Sequence, residues 1–225
     1  MKQLAIVSLL ILSLAAVAQA GVINDIRTGV IPDGTVVVVE GAVVTAVQNS
    51  SFTMTELPAG PYTAIWVYVG AAPAVAIGDV VEVKGLTRDF YGRAEINLLY
   101  PGDAHVTVTG ASPVPNIQLT TTQLQADPEA WESQVVTITD GLIVQEMLPE
   151  GMWRADSVET GLSVIFDDYF FDYATVDLGD CYNNAYGMYQ WFGDMWIFKV
   201  FTTADTDCTV ANEDLSFGSL KALYR

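Results

Sequence analysis

The chain has 225 residues, 51% of them apolar, and sets 27 acidic side chains against nine basic ones for a formal net charge of −18. Such a field repels phosphate backbones, so the surface as a whole is wrong for coating a nucleic acid, and only a local basic groove stays open. One histidine and two cysteines are too few for a His/Cys zinc site.

The first segment reads as a secretory signal peptide, residues 1–20. Lys2 gives a positive start, Leu4 to Val17 a short apolar stretch, and Ala18-Gln19-Ala20 an A-x-A cleavage site. The apolar stretch falls short of the ~20 residues of a membrane-spanning helix, and no other run comes close. The expectation is an exported mature chain from Gly21 to Arg225 with no membrane span, placed outside the cell, at its surface or in a periplasm. Without Lys2 the net charge is −19. Residues 21–112 carry nine acids and four bases, residues 113–225 eighteen acids and four bases.

Short β-branched runs punctuated by Gly, Pro, Asp and Asn then predict an all-β chain. Thr35–Val47 is a long first strand with Gly41 at its middle, where a glycine marks a bulge or bend. Ser51–Leu57 and Thr63–Val69 follow, joined through Pro58-Ala59-Gly60-Pro61. Ala71–Ala76 is too short for a helix. Asp79–Thr87 and Arg93–Leu99 are the next strands, and His105–Thr109 closes the first unit. Gly110–Asn116, with two prolines, is a linker, and Asp127-Pro128-Glu129 marks a helical turn within Thr121–Glu132. The second unit runs through Gln134–Met147, Trp153–Ser157, Leu162–Phe166, Cys181–Tyr189 and Met195–Phe201.

These two units are copies. Residues 52–98 recur 101 positions higher: Phe52 answers to Trp153, Gly78-Asp79 to Gly179-Asp180, Tyr91-Gly92 to Phe192-Gly193 and Ile96 to Ile197. Upstream, Val36–Gly41 matches Val136–Gly141 at an offset of 100. Five strands with a long, bent first one and a spacer between the third and fourth make an OB-like barrel. The phrases Val38-Val39-Glu40-Gly41-Ala42-Val43-Val44-Thr45, Ile77-Gly78-Asp79-Val80-Val81-Glu82-Val83-Lys84-Gly85 and Phe90-Tyr91-Gly92 resemble the OB-fold domains of secreted bacterial proteins that accompany extracellular nucleases and lamin-tail domains. The resemblance spans most of residues 21–210 and implies two tandem OB-like five-stranded barrels, residues 21–112 and 113–210. Its motifs are core and turn residues, so it implies a fold and no activity. The catalytic domain of those relatives has no counterpart here.

Candidate chemistry is sparse. His105, in an alternating Val-Thr run, lacks a nucleophile-elbow partner, so the chain reads as no enzyme. Asp167-Asp168 and Asp205-Thr206-Asp207 offer oxygen ligands that suit a structural Ca²⁺ at most, and no other cofactor is implied. Cys181 and Cys208 are expected to pair in an oxidising compartment; closing their 27-residue loop adds ~3–4 kcal/mol on the chain-entropy model.

The hairpin between the last two strands and the face of strands two and three form the usual ligand site of an OB barrel. Lys84, Arg88 and Arg93 sit there with Tyr91, and Trp66 and Tyr68 share one strand face. Cations beside aromatics suit a single strand, whereas rings turned inward would be barrel filling. The second copy offers Tyr189 and Trp191 in an aromatic, base-free loop that suits a sugar or a protein groove. Met195–Phe201 is apolar on both faces apart from Lys199, so both faces should be covered. Residues 211–225 end in Lys221-Ala222-Leu223-Tyr224-Arg225, which reads equally as a docked amphipathic helix or, by resemblance to tails of secreted bacterial proteins, as a sorting signal. The expected function is a secreted, non-catalytic binding or assembly module, with an extracellular protein or glycan ahead of nucleic acid. The alternative is an accessory module for single-stranded nucleic acid in an extracellular nuclease system.

Overall fold

The computed structural model describes residues 21–100, 102–168 and 176–204. The leader, Asp205, Asp207, Cys208 and the C-terminal tail lie outside the described residues.

Strand β1 (Val36–Val47) is long because it serves two neighbours. Its first part pairs with β4 (Asp79–Phe90), its second with β2 (Ser51–Thr55). Between them the register shifts at Gly41, whose φ of 76° is one that side chains resist. β3 (Ala64–Tyr68) follows β2 antiparallel, and β5 (Arg93–Asn97) lies parallel to β3 and antiparallel to β4. The order β1-β2-β3-β5-β4 returns to β1, closing a five-stranded OB-like barrel, and β6 (His105–Ala111) extends it beyond β4. Inward residues Val39, Val44, Phe52, Met54, Ile65, Val67, Val83 and Ile96 fill the core. A short helix that the sequence did not predict, α1 (Val22–Arg27), adds Ile23 and Ile26 to this core. Six residues are too few to show a helical period.

The second half builds an eight-stranded sheet. Its strands are β7 (Ile117–Leu119), β8 (Val135–Ile138), β9 (Leu142–Met147), β10 (Trp153–Ser157), β11 (Ser163–Asp167), β12 (Cys181–Tyr182), β13 (Asn184–Phe192) and β14 (Met195–Ala204). They lie in the order β12-β9-β10-β11-β14-β13-β8-β7, with β11 parallel to β14 as β3 is to β5. Helix α2 (Thr121–Ala126) and a 3-10 turn at Pro128–Trp131 precede β8. Thr120 caps α2 in a reciprocal box with Gln123. The single strand expected from Gln134 to Met147 is divided into β8 and β9. Buried Asp140 causes the break: its carboxylate accepts from the Thr121 amide at 2.9 Å, from the Thr121 hydroxyl and from Ser157 Oγ at 3.2 Å. The first copy bulges at this place and the second opens.

The repeated Gly-Asp is one turn built twice. Gly78 donates to Val44 O and Gly179 to Val144 O, both at 2.9 Å, while Asp79 and Asp180 accept from the amides of Ala76 and Asp177. The 101-residue register does not last to the final strand. Ile96 lies opposite Val67, but Phe198, not Ile197, lies opposite Phe166 and enters the second core. The β13–β14 hairpin extends further than β4–β5, which shifts every residue after its turn. Cys181 is buried on β12 and is not a free thiol, and its expected partner is outside the described residues.

The outer face of β2 and β3 is not solvent. Ser51, Thr53, Thr55 and Trp66 are all buried, because the second sheet lies over them. Trp66 packs with Val135 and Met188 inside a ring of Tyr68, Tyr186 and Phe201. The segment 129–134 binds this seam. Ala130 O accepts from the Tyr62 amide at 2.7 Å, and Gln134 Oε1 accepts from the hydroxyls of Thr55 and Thr63 at 3.4 Å. Arg27, with its side chain fully buried, pairs with equally buried Glu132 and reaches Glu129 at 3.0 Å.

Burial pushes the Glu132 carboxyl up to about 7 against the pull of Arg27. A carboxyl raised above its ordinary 4.5 stabilises the fold fully below that value and loses the contribution as pH rises through 7. The melting temperature should therefore fall between pH 5 and pH 8 by more in the native chain than in Glu132→Gln. The difference corresponds to about 3 kcal/mol at most. Equal slopes in the two proteins would remove Glu132 as the cause.

Candidate ligand site between the barrel and the second sheet

The two hairpins expected to carry ligand residues meet at the edge of the seam. The β4–β5 hairpin turns at Tyr91-Gly92, both with positive φ, and the β13–β14 hairpin turns at Gly193-Asp194 in the same way. Gly92 lies under the Trp191 indole, so a Cβ there would stand 2.9 Å from Nε1. Beside this contact open two adjoining clefts. One, of about 310 Å³, is lined by Phe90, Tyr91, Trp191 and Asp194; the other, of about 350 Å³, by Gln48, Trp66, Glu150, Asp167, Gln190 and Lys199. Arg93 and Phe192 line both.

Arg93 is the hinge of the site. Its guanidinium lies 4.3 Å from the Trp66 ring centre and 5.3 Å from that of Phe90, and it pairs with Glu95 at 3.2 Å. Burial lowers its pKa against the pull of Glu95. Arg88 stands 5.1 Å over the other side of the hairpin, on Phe90, and 4.0 Å from Glu95. Lys199 enters from β14 in register with Asp167 of β11 and lies 5.6 Å from the Phe192 ring. Burial brings its amine down to about 8, with Asp167 opposing. The hydrophobic surface is ample: Tyr91 is 84% exposed and Phe192 59%.

Of the residues expected at a site, Tyr91, Arg93 and Trp191 gather at these clefts, and Arg88 reaches them only through the Phe90 ring. Trp66 shows only its edge there, and Tyr68 belongs to the seam. Tyr189 is corrected to a core residue, 4% exposed and stacked on Trp196 at 5.2 Å. Lys84 lies on the β6 side, where Asp103 holds it at 2.5 Å. His105, on that same edge, contacts Glu82 at 3.1 Å. Asp167 faces Lys199, and among the described residues no group of three or more His, Cys, Asp or Glu side chains could hold a metal. The sequence reading placed Gln190 and Phe192 in a ligand-like loop without singling them out, and missed Gln48 and Lys199 as site residues. A glutamine and a lysine inside strands otherwise apolar on both faces were the available signal.

No family model matches the chain, and no curated protein does. Among solved structures it is similar to a murine DNA-binding protein bound to double-stranded DNA, at 12% identity and a TM-score of 0.37 over 76% of this chain and 97% of that one. It is similar also to the p204 HINb domain, at 10% identity and a TM-score of 0.32 over 78% of this chain and 95% of that one. A third is the Ifi202 HINa domain in complex with double-stranded DNA, at 10% identity and a TM-score of 0.29 over 78% and 94%. The expected ranking of partners, extracellular protein or glycan ahead of nucleic acid, is corrected by this set, in which the ligand named is double-stranded DNA.

Replacing Gly92 by alanine should strain a residue at φ 88° and press on Trp191. The expected loss is about 1–2 kcal/mol of stability, with a shifted Trp191 indole N–H resonance. An unmoved resonance would show that the hairpins are not in contact.

Proposed function

We propose that the chain is an exported, non-catalytic OB-type binding module that takes a single-stranded nucleic acid in the inter-hairpin cleft, with Cys181 and Cys208 as a structural staple. One observation carries the reading. Of the six basic residues among the described ones, Arg27, Lys84 and Arg154 are ion-paired away from the clefts, Arg93 and Lys199 line them, and Arg88 lies against Phe90, a ring that lines one of them. Around them stand Phe90, Tyr91, Trp191 and Phe192, rings on which successive bases can stack. A chain of this acidity has few cations to spend, and half of the described ones meet aromatic surface in one place.

The mechanism is local attraction inside a repelling field. Phosphates contact Arg88 and Lys199 while bases lie on Tyr91 and Phe192, and Arg93, held by Trp66 and Glu95, supplies a fixed charge. Single strands are favoured because stacking needs bases free of their partners. The many carboxylates elsewhere keep the strand from wrapping the surface, which limits the footprint to the cleft.

Fluorescence anisotropy with a labelled short single-stranded DNA tests this. Three neutralised phosphates predict that log Kd rises with log salt concentration with a slope of about 2, less whatever the screened acidic field returns. Arg88→Ala should reduce the slope by about 0.7. Tyr91→Ala should cost ~1–3 kcal/mol of affinity. Because Lys199 discharges above a pKa of about 8, binding should weaken from pH 7 to pH 9. Absence of binding at low salt would falsify the reading.

A further inference from the structure

Gln190 is the least explained side chain in the molecule. It sits on β13, fully buried, and among the described residues neither its Oε1 nor its Nε2 has a hydrogen-bond partner. A buried carboxamide left wholly unpaired is expensive, of a kind native folds seldom keep without use. The same cleft is lined by Gln48, whose Nε2 also lacks a partner, and by Arg93, whose Nε lacks one too. Among the described residues one floor thus holds three unanswered donor nitrogens and one unanswered acceptor.

We infer that this floor reads a nucleobase of the adenine type, with Gln190 making the paired contact and Gln48 the supporting one. The inference rests on the single-strand reading above and adds the base class to it. A carboxamide offers a donor and an acceptor side by side, and adenine answers with its amino group and an adjacent ring nitrogen. Adenine's remaining ring nitrogens are all acceptors, which suits a donor-rich floor. The cleft, at about 350 Å³, is large enough for a purine with part of its sugar, and Trp66 and Phe192 supply apolar walls. Gln190 has no exposed surface, so a base reaches it only as the side chains over it move.

The test compares the affinities of oligo(dA), oligo(dC) and oligo(dT) of equal length for the native chain and for Gln190→Leu. Leucine matches the shape and removes the unpaired polar atoms, so the variant should fold at least as stably, as its melting curve will show. The native chain should prefer oligo(dA) by roughly tenfold, within the range of one bidentate contact. Gln190→Leu should lose that preference while keeping its salt slope, and Gln48→Leu should reduce the preference in part. Binding without preference, or a preference that survives in Gln190→Leu, overturns the inference and leaves the single-strand reading standing. No binding of any oligomer overturns both.

Discussion

The covering of the β2–β3 face is the constraint from which the rest of the molecule follows. In an OB barrel this face is ordinarily the open one, and here the second sheet seals it with Trp66, Val135 and Met188 at the centre. Because the faces are locked together, the two long hairpins emerge side by side, with the pair of clefts between them at the seam's edge. The contact is polar as well as apolar. Arg27 enters from the first residues of the barrel unit and finds Glu132 more than a hundred positions later. Desolvating such a pair costs much of what it returns, so its value lies in orientation more than in stability.

The distribution of charge follows the same logic. With 27 carboxylates in the chain, a cation that is merely exposed is soon paired, as Lys84 and Arg154 are. Arg88, Arg93 and Lys199 keep a different setting because each lies against an aromatic ring. The ring faces attract cations without neutralising them, so these three keep aromatic contacts beside their carboxylate neighbours Glu95 and Asp167.

Much of the fold was legible from local pattern. The valine run with its central glycine, the duplicated Gly-Asp turn and the two hairpins all have causes within a few residues of one another, and each forms as expected. The seam was not legible, since its partners lie on different copies and periodicity cannot say which outer face will be covered. For that reason Trp66 and Tyr68 looked like half of an open site. The slip from Ile197 to Phe198 escaped notice for a related reason: both residues are apolar, and only the ladder opposite Phe166 distinguishes them. At the cleft, sequence pattern found the cations of the first hairpin and the rings of both. It took Gln190 for part of an exposed loop, because nothing local shows that β13 continues through it and buries it.

The seam joins unlike surfaces, the β2–β3 face of one copy to the β8–β13 side of the next. Such a head-to-tail joint has no built-in stop, and a chain of identical copies could in principle stack without end. The second copy carries its own terminator. Where the first has Thr53 and Thr55 on the outer face, the second has Arg154 and Asp156, locked at 2.8 Å and extended to Glu146 at 3.2 Å. A third barrel would have to strip water from that ion network to dock, a penalty that threonines never imposed. The duplicate thus behaves like the end cap of a repeat array, with its growing end made polar.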